Sequence, residues 1–222
     1  MRENPYDSVV FLSHLLEDPE YGSKREWLEH QQMQYDFLVS RGFDSATRFL
    51  DLGCGPLRLG VRLIPELTSG WYFGQDINGE TLEAGRRVLA DAGVTSERFR
   101  LIRSDNFDLS AVDRPIDLAF SNSLFSHLTI NSILIALTRV RAVLAPGAVY
   151  YSTFFDLPPG HDWTRPCPRN KWGHGFNTFP YRDPYHYPAA LLQRLAETTG
   201  FSMTLDEDFG HPTQTMARFE PL

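Results

Sequence analysis

The stretch Thr47–Val61 reads TRFLDLGCGPLRLGV. Its first half is apolar, with Phe49, Leu50 and Leu52 running into Gly53-Cys54-Gly55, and a helix is expected to start near Leu57 or Arg58. A strand that stops at glycines and hands over to a helix is how an open α/β sheet cradles a nucleotide-like ligand. Gly53 and Gly55 let the backbone approach that ligand with no Cβ in the way. A helix start at this point aims free N–H groups at a negative group. The dinucleotide fingerprint G-x-G-x-x-G/A needs Gly or Ala at position 58, where this chain has Arg58, and the next glycine is Gly60. Asp51, just ahead of the glycines, repels a pyrophosphate but accepts hydrogen bonds from an amine or a ribose. The turn therefore fits a ligand that carries an amino acid and an adenosine better than it fits NAD.

Outward from the turn, Gly70–Asp76 reads as a second strand ending in an acid. An acid at that tip takes both ribose hydroxyls as donors. Asn78 caps a helix through Leu89, with Leu82, Gly85 and Leu89 on one face. Phe99–Arg103 is a third strand leading into Ser104-Asp105-Asn106-Phe107, and Ile116–Ser121 is a fourth. A helix is expected from about Asn131 to Leu144, ended by Pro146-Gly147, and then a fifth strand, Ala148–Phe155. Pro188 begins a last helix with Leu191, Leu192 and Leu195 inward and Gly200 as its stop. Phe201–Leu205 and Gln214–Phe219 form a closing strand pair. Ahead of the core, Ser23 and Glu26 have the spacing of a capping box for a helix running to about Ser40, with Gly42 beyond it. Trp27, Leu28, Tyr35 and Leu38 give that helix its apolar side, and a shorter helix is expected over Asp7–Leu16.

Asp51-Leu52-Gly53-Cys54-Gly55, with Asp76 and Asp105 following in order, resembles the class I S-adenosylmethionine (SAM) dependent methyltransferases from about Phe49 to Phe219. The resemblance implies a Rossmann-like doubly wound α/β sheet of about seven strands, mostly parallel with an antiparallel last strand. It implies SAM as cofactor, contacted by Asp51, Gly53, Cys54, Gly55, Asp76, Ile77, Asp105, Asn106, Phe107 and Asn122. Asp105 stands where the family contacts the adenine amino group, and the N–H groups beside it meet the ring. The family often has a third glycine where this chain has Leu57, and Gly60 is the residue left to supply the close approach of helix and strand. The N-terminal helices either form a lid, with Tyr6, Tyr21 and Tyr35 as contacts, or cover one sheet edge.

His127 lies just past the fourth strand, in Asn122-Ser123-Leu124-Phe125-Ser126-His127-Leu128. It is the candidate catalytic base, because an imidazole titrates near neutral pH. It resembles a histidine found after the fourth strand in many members of the family, which in some of them only packs by the cofactor. Asn122 and Ser123 orient the methionine part or the nucleophile. Methyl transfer from a sulfonium mainly asks the protein to hold the nucleophile close, aligned and dry. A base helps when the nucleophile has a proton to lose.

From Asp156 to Tyr187 the chain is rich in proline and aromatic residues, too aromatic for a linker, and reads as an ordered loop on the substrate side. Between His161 and Tyr187 stand four fixed cations, Arg165, Arg169, Lys171 and Arg182, and two acids, Asp162 and Asp183. That balance points either to an anionic or planar aromatic substrate or to surface salt bridges. Arg58, Ser123, His127, Trp163, His174 and Tyr181 are the candidate substrate contacts. Arg58 either reaches a carboxylate or pairs with an acid such as Glu66. The spacing of His161, Cys167, His174 and His186 matches no common zinc pattern, so no metal is expected.

At 222 residues the chain is long enough for one domain with a full core. It divides into an N-terminal helical cap (1–45), a SAM-binding core (46–155), the substrate-side loop (156–187) and a final helix and strand pair (188–222). A net charge of −7 argues against a broad nucleic-acid surface. Two distant cysteines read as free thiols of a reducing compartment, and no basic-then-apolar leader and no run of about 20 apolar residues is present. The expectation is a cytoplasmic monomer or homodimer that transfers methyl to a small molecule, at oxygen rather than nitrogen. The competing readings are a SAM-fold regulator without turnover, an N-methyltransferase, an NAD-dependent oxidoreductase, and a nucleic-acid or protein methyltransferase. The intact acids disfavour the first. Arg58 and Asp51 disfavour the oxidoreductase, and the absence of an Asn-Pro-Pro-Tyr type motif at Ser121–Leu124 disfavours a base methyltransferase.

Overall fold

The computed structural model describes residues 24–171 and 174–222, with side chains from 27 to 170 and from 175 to 222. The helix expected over Asp7–Leu16, the Ser23 cap, Tyr6, Tyr21 and the side chain of His174 lie outside the described residues. Seven strands make one sheet: β1 (Arg48–Leu52), β2 (Trp71–Asp76), β3 (Phe99–Arg103), β4 (Ile116–Ser121), β5 (Leu144–Phe154), β8 (Phe201–Asp206) and β9 (Thr215–Pro221). Their order is β3-β2-β1-β4-β5-β9-β8. β2 pairs in parallel with both β1 and β3, whereas β9 runs antiparallel to β5 and β8. This is the mostly parallel sheet with an antiparallel last strand that the pattern implies. The described residues form two compact units that divide between 116 and 117.

In the first unit, β1 and β2 are continuous apolar runs because a parallel strand is covered on both faces. Phe49, Leu50, Leu52, Tyr72 and Phe73 are fully buried, and the Phe49 and Tyr72 rings stack at 5.9 Å. Gly70 is required where the chain enters β2, since a Cβ there would sit 2.3 Å from the Thr47 carbonyl oxygen. Helix α1 (Lys24–Ser40) ends as expected, with Gly42 at φ +92 and the Phe43 N–H returning to the Leu38 carbonyl at 2.9 Å. Its buried side differs from expectation. Leu28 is exposed, and the buried positions are His30, Gln34, Phe37 and Leu38. They follow the same helical period, but half of them are polar, so an apolar stripe could not reveal the face. Helix α2 (Gly60–Leu63) is four residues long and passes into a 3-10 turn over Ile64–Glu66 that contains Pro65. Helix α3 (Gly79–Asp91) is capped by Asn78, whose side chain accepts the Glu80 and Thr81 N–H groups, and it buries Leu82, Gly85 and Leu89.

In the second unit, helix α4 (Ile130–Val143) buries Ile133, Ala136, Leu137 and Val140. The helix stops one residue early, because Leu144 already belongs to β5, which includes Pro146 and Gly147. The core is aromatic: Tyr150 stacks on Phe219 at 5.5 Å, and Phe125 and Phe201 meet them edge-on. Burial of rings this size contributes roughly 1.5–3 kcal/mol each. Helix α5 (Ala189–Thr198) packs Leu192, Leu195 and Ala196 inward while Leu191 is only half-buried, and its first N–H is taken by the Asp156 carboxylate at 3.0 Å. The segment 156–187 is not wholly loop. It holds an antiparallel hairpin, β6 (Cys167–Lys171) and β7 (His174–Thr178), with Pro168 opposite Asn177. A two-stranded ribbon has free edges that tolerate proline, and the proline-rich composition masked it.

Candidate functional site

The first cluster follows β1, β2 and β3. The N–H groups of Gly53 and Cys54 both donate to the Gln75 carbonyl, at 2.8 and 2.9 Å, and the Gly55 N–H donates to Asp76 Oδ2 at 2.9 Å. Three successive amides of the turn are thus bound to the end of β2. The helix expected from Arg58 begins only at Gly60 and lasts one turn, so it offers no N-terminal anion site. This corrects the expectation of a helix start that aims free N–H groups at a negative group. What the turn presents is carboxylate. Asp76 Oδ1 also accepts the Asn78 N–H at 2.9 Å, and with about four lone-pair sites per carboxylate it retains acceptors for ribose hydroxyls. Burial raises the Asp76 carboxyl and these backbone hydrogen bonds oppose the rise.

Asp51 is buried and accepts the Tyr72 hydroxyl at 2.7 Å. Burial pushes its carboxyl up to about 7, against the pull of the Tyr72 bond and of Arg58. Arg58 does not pair with Glu66. Its Nη1 lies 3.2 Å from His30 Nδ1 of α1, in the field of Asp51, while Glu66 meets Tyr35 at 2.9 Å and Arg62 at 3.9 Å. The Gln31 side-chain amide of α1 donates to the Arg58 carbonyl. Helix α1 is therefore fastened directly behind the glycine turn. Cys54 is a buried thiol, raised by burial, and Gly74 on β2 leaves it room: a Cβ at Gly74 would lie 3.0 Å from its Sγ.

Leu57 has φ +62, the left-handed region that favours glycine, and is fully buried. A Cβ at Gly60 would stand 3.0 Å from the Tyr72 hydroxyl oxygen and 3.2 Å from Leu57 Cβ, and one at Gly85 would stand 2.7 Å from Leu57 Cγ. Gly60 and Gly85 are the clearances that admit the leucine.

At the end of β3 a hollow of about 270 Å³ is lined by Ile77, Arg103, Ser104 and Asp105. Ser104 Oγ binds Asn106 Oδ1 at 3.0 Å and accepts the Asp108 N–H at 2.7 Å, shaping the loop on which Asp105 and Asn106 stand exposed. Phe107 is buried at φ +57. Arg103, absent from the sequence expectation, donates to the Ile77 carbonyl at 3.4 Å. Acids at Asp51 and Asp76 and a hollow between the ends of β2 and β3 match a ligand with an ammonium, a ribose and a flat base, and the residues present fit SAM.

The second cluster follows β4. Ser123 has φ +59, and its N–H donates to Thr153 Oγ1 at 2.7 Å. Its hydroxyl accepts from Asn122 Nδ2 at 3.2 Å and from Gln214 Nε2 at 2.9 Å. Asn122 Oδ1 and Gln214 Oε1 are buried with no hydrogen-bond partner among the described residues, two acceptors suited to a donor-bearing ligand. Gln214 was not foreseen, being remote in sequence. Leu57, Phe107 and Ser123 are the non-glycine residues at positive φ among those described, and all stand in the loops after β1, β3 and β4. Backbone held in this way gathers at functional sites. His127 ends a 3-10 turn, Phe125–His127, and its Nδ1 lies 2.6 Å from Asp183 Oδ1.

Segment 156–187 is tied down by two residues read from sequence as possible ligand groups. Arg169 donates to the Asp156 carbonyl and to Thr178 Oγ1 and lies 5.5 Å from the Phe155 ring centroid. His186 is buried, with Nδ1 3.0 Å from Thr178 Oγ1 and Nε2 donating to the Trp163 carbonyl at 3.2 Å, and burial lowers its pKa. Arg165 pairs with Asp162 on the surface, and Arg182 lies over the Phe179 ring at 3.9 Å. Trp163 and Tyr181 are exposed, 60% and 67%. Among the described residues no group of histidines, cysteines and acids could hold a metal, and no helix is long and apolar enough to cross a membrane.

A parallel sheet with acids at successive strand ends defines a Rossmann-like nucleotide-binding class. Residues 49–147 match the family model of a methyltransferase domain. Among solved structures, the chain is similar to magnesium protoporphyrin IX methyltransferase from Synechocystis PCC 6803 with bound SAM (13% identity, 96% of this chain and 92% of that one, TM-score 0.64). It is similar to the CcbJ methyltransferase from Streptomyces caelestis (15%, 86% and 88%, 0.63). It is also similar to the glycopeptide N-methyltransferase MtfA complexed with SAM (14%, 87% and 94%, 0.62). A search of curated protein sequences found no match. These structural likenesses are of fold. The methyltransferase-domain match over residues 49–147, together with that fold, supports a SAM-dependent methyltransferase with SAM as its cofactor.

Proposed function

We propose that this methyltransferase acts on a hydroxyl group of a small molecule, with His127 as the base. The observation that carries the reading is the composition of the cluster after β4. It combines neutral hydrogen-bonding groups, Asn122, Ser123 and Gln214, with one imidazole paired to a carboxylate. An amine attacks with its lone pair and needs no base to begin; a hydroxyl gains from a base that takes its proton. Bound SAM supplies an activated methyl group on a sulfonium. In this reading Asp76 holds the ribose, Asp105, Asn106 and Phe107 with Ile77 hold the adenine, and Asp51 serves the methionine end. Trp163 and Tyr181 offer exposed faces to a planar acceptor, and His174 stands on the same segment. Arg58, engaged with His30, serves α1 and not the acceptor. The negative charge and the two buried free cysteines support a cytoplasmic monomer or homodimer that does not bind nucleic acid.

The test is methyl transfer from radiolabelled SAM to matched panels of phenols, alcohols and amines. Hydroxyl acceptors are expected to be labelled, and His127→Ala is expected to lower kcat by roughly 10²-fold, the lower end of what a positioned base supplies. Labelling confined to amines, or a His127→Ala enzyme of undiminished rate, rejects the reading.

A further inference from the structure

We infer that Asp183 is a positioning residue that fixes the His127 ring as its Nδ1–H tautomer and thereby makes Nε2 the nitrogen that takes the acceptor's proton. The inference rests on the reading of His127 as the base. An ionised carboxylate can only accept hydrogen bonds, so at 2.6 Å from Asp183 Oδ1 the proton belongs to His127 Nδ1. A neutral ring so protonated carries its lone pair on Nε2. Solvated histidine prefers the opposite tautomer, so the choice is imposed by the carboxylate.

The segment that carries Asp183 is bound to the backbone on either side of the histidine. The Tyr185 N–H donates to the Ser126 carbonyl at 2.6 Å, and the Tyr187 hydroxyl donates to the Leu128 carbonyl. The Tyr187 N–H in turn donates to the Phe155 carbonyl at 3.0 Å, and the Tyr185 and Tyr187 rings stack at 6.1 Å. The residues before and after His127 are therefore both clamped by Tyr185 and Tyr187, in the extended segment that follows Asp183. The side chains of His127 and Asp183 are 33% and 28% exposed, so the pair is partly withdrawn from solvent. An exposed ion pair between flexible side chains has no such double fastening.

The acceptor oxygen takes the methyl group as its O–H proton passes to Nε2. The bond from that methyl carbon to sulfur breaks with its electron pair left on sulfur. The positive charge that leaves the sulfonium reappears on the imidazolium, beside the Asp183 carboxylate, as a charge-assisted pair.

The test is nitrogen-15 NMR of histidine-labelled protein loaded with S-adenosylhomocysteine, in mildly alkaline buffer, with the His127 signals identified by their loss in His127→Gln. The wild type is expected to show the Nδ1–H tautomer. Asp183→Asn, in which the amide can also donate, is expected to lose it, and Asp183→Glu is expected to restore it in part. With a hydroxyl acceptor from the labelled panel, Asp183→Asn is expected to lower kcat by roughly 10²-fold while KM for SAM stays as in wild type. An Nε2–H tautomer in the wild type, or an unchanged tautomer in Asp183→Asn, overturns the role of Asp183 and leaves His127 as base untouched. Full activity of His127→Ala overturns the base reading itself, and this inference with it. Should Asp183→Asn fail to fold, the wild-type spectrum alone decides.

Discussion

The two clusters are held by different means. After β1 and β2, main chain binds main chain: the amides of Gly53 and Cys54 close on the Gln75 carbonyl, and Asp76 gathers the Gly55 and Asn78 N–H groups. After β4 and along 156–187, side chains hold the chain: Gln214 on Ser123, Asp183 on His127, Arg169 on Asp156, His186 on Thr178. Backbone ties need only a strand, a glycine and an acid in the right order. Side-chain ties join residues far apart in sequence and depend on which partner the fold delivers. A shared cofactor requires a fixed frame, and an acceptor that differs between methyltransferases calls for parts that can be exchanged singly.

The largest expected effect tests the first frame. Asp76→Ala removes the acceptor of two backbone amides as well as the proposed ribose ligand. SAM affinity measured by calorimetry should fall more than about 10²-fold, from two charge-assisted hydrogen bonds of about 1.5–3 kcal/mol each. Unchanged affinity would break the comparison on its firmer side.

The second effect separates two arginines that look alike in sequence. Arg169→Ala should lower the unfolding free energy by about 1–3 kcal/mol, because it leaves the buried Thr178 and the Asp156 carbonyl short of a donor. Arg165→Ala should change it by less than about 0.5 kcal/mol, since its 3.4 Å pair with Asp162 is made by a side chain 79% exposed. Denaturant midpoints at constant m measure both. Equal losses would mean that the segment is not held by Arg169.

The smallest effect is a slope. The Asp51 carboxyl is near 7 when folded against a reference of 3.8, so between those values the folded state binds more protons than the unfolded chain. Stability from this group therefore falls as pH rises from about 4 to about 7, by at most about 1.4 kcal/mol per pH unit, and changes little above that. Asp51→Asn should flatten the slope in thermal melts across that range. A slope that persists in the variant assigns it to another group.

Most of the frame was legible in the chain. β1 to β4 lie within a residue of their expected bounds, helped in β1, β2 and β4 by apolar runs beside a glycine or a proline, and Asn78 caps α3 as its position implies. The polar face of α1 was not legible, because His30 and Gln34 are buried against the run of hydropathy. Nor was the hairpin β6–β7, whose signal is a lone Gly173 between two short runs in a proline-rich stretch. Asp183 was counted only as a charge, since nothing local in the sequence relates it to a histidine on the far side of α4 and β5. The free N–H groups expected of a helix start near Leu57 or Arg58 failed for a definite reason: the helix begins only at Gly60 and lasts one turn, and the turn amides ahead of it are bound to the end of β2.

Leu57 interlocks the turn with Gly60 and Gly85. Its torsion is that of a glycine, and its side chain fills space vacated at Gly60 and Gly85. Replacing it by glycine would release about 1 kcal/mol of left-handed strain. It would also leave a leucine-sized void in the core, at a cost of about 2–5 kcal/mol. Enlarging Gly60 or Gly85 first would collide with the leucine that is still there. A form with glycine at position 57 and this one are thus separated by a valley that no single substitution crosses without loss, and the three positions move together or stay.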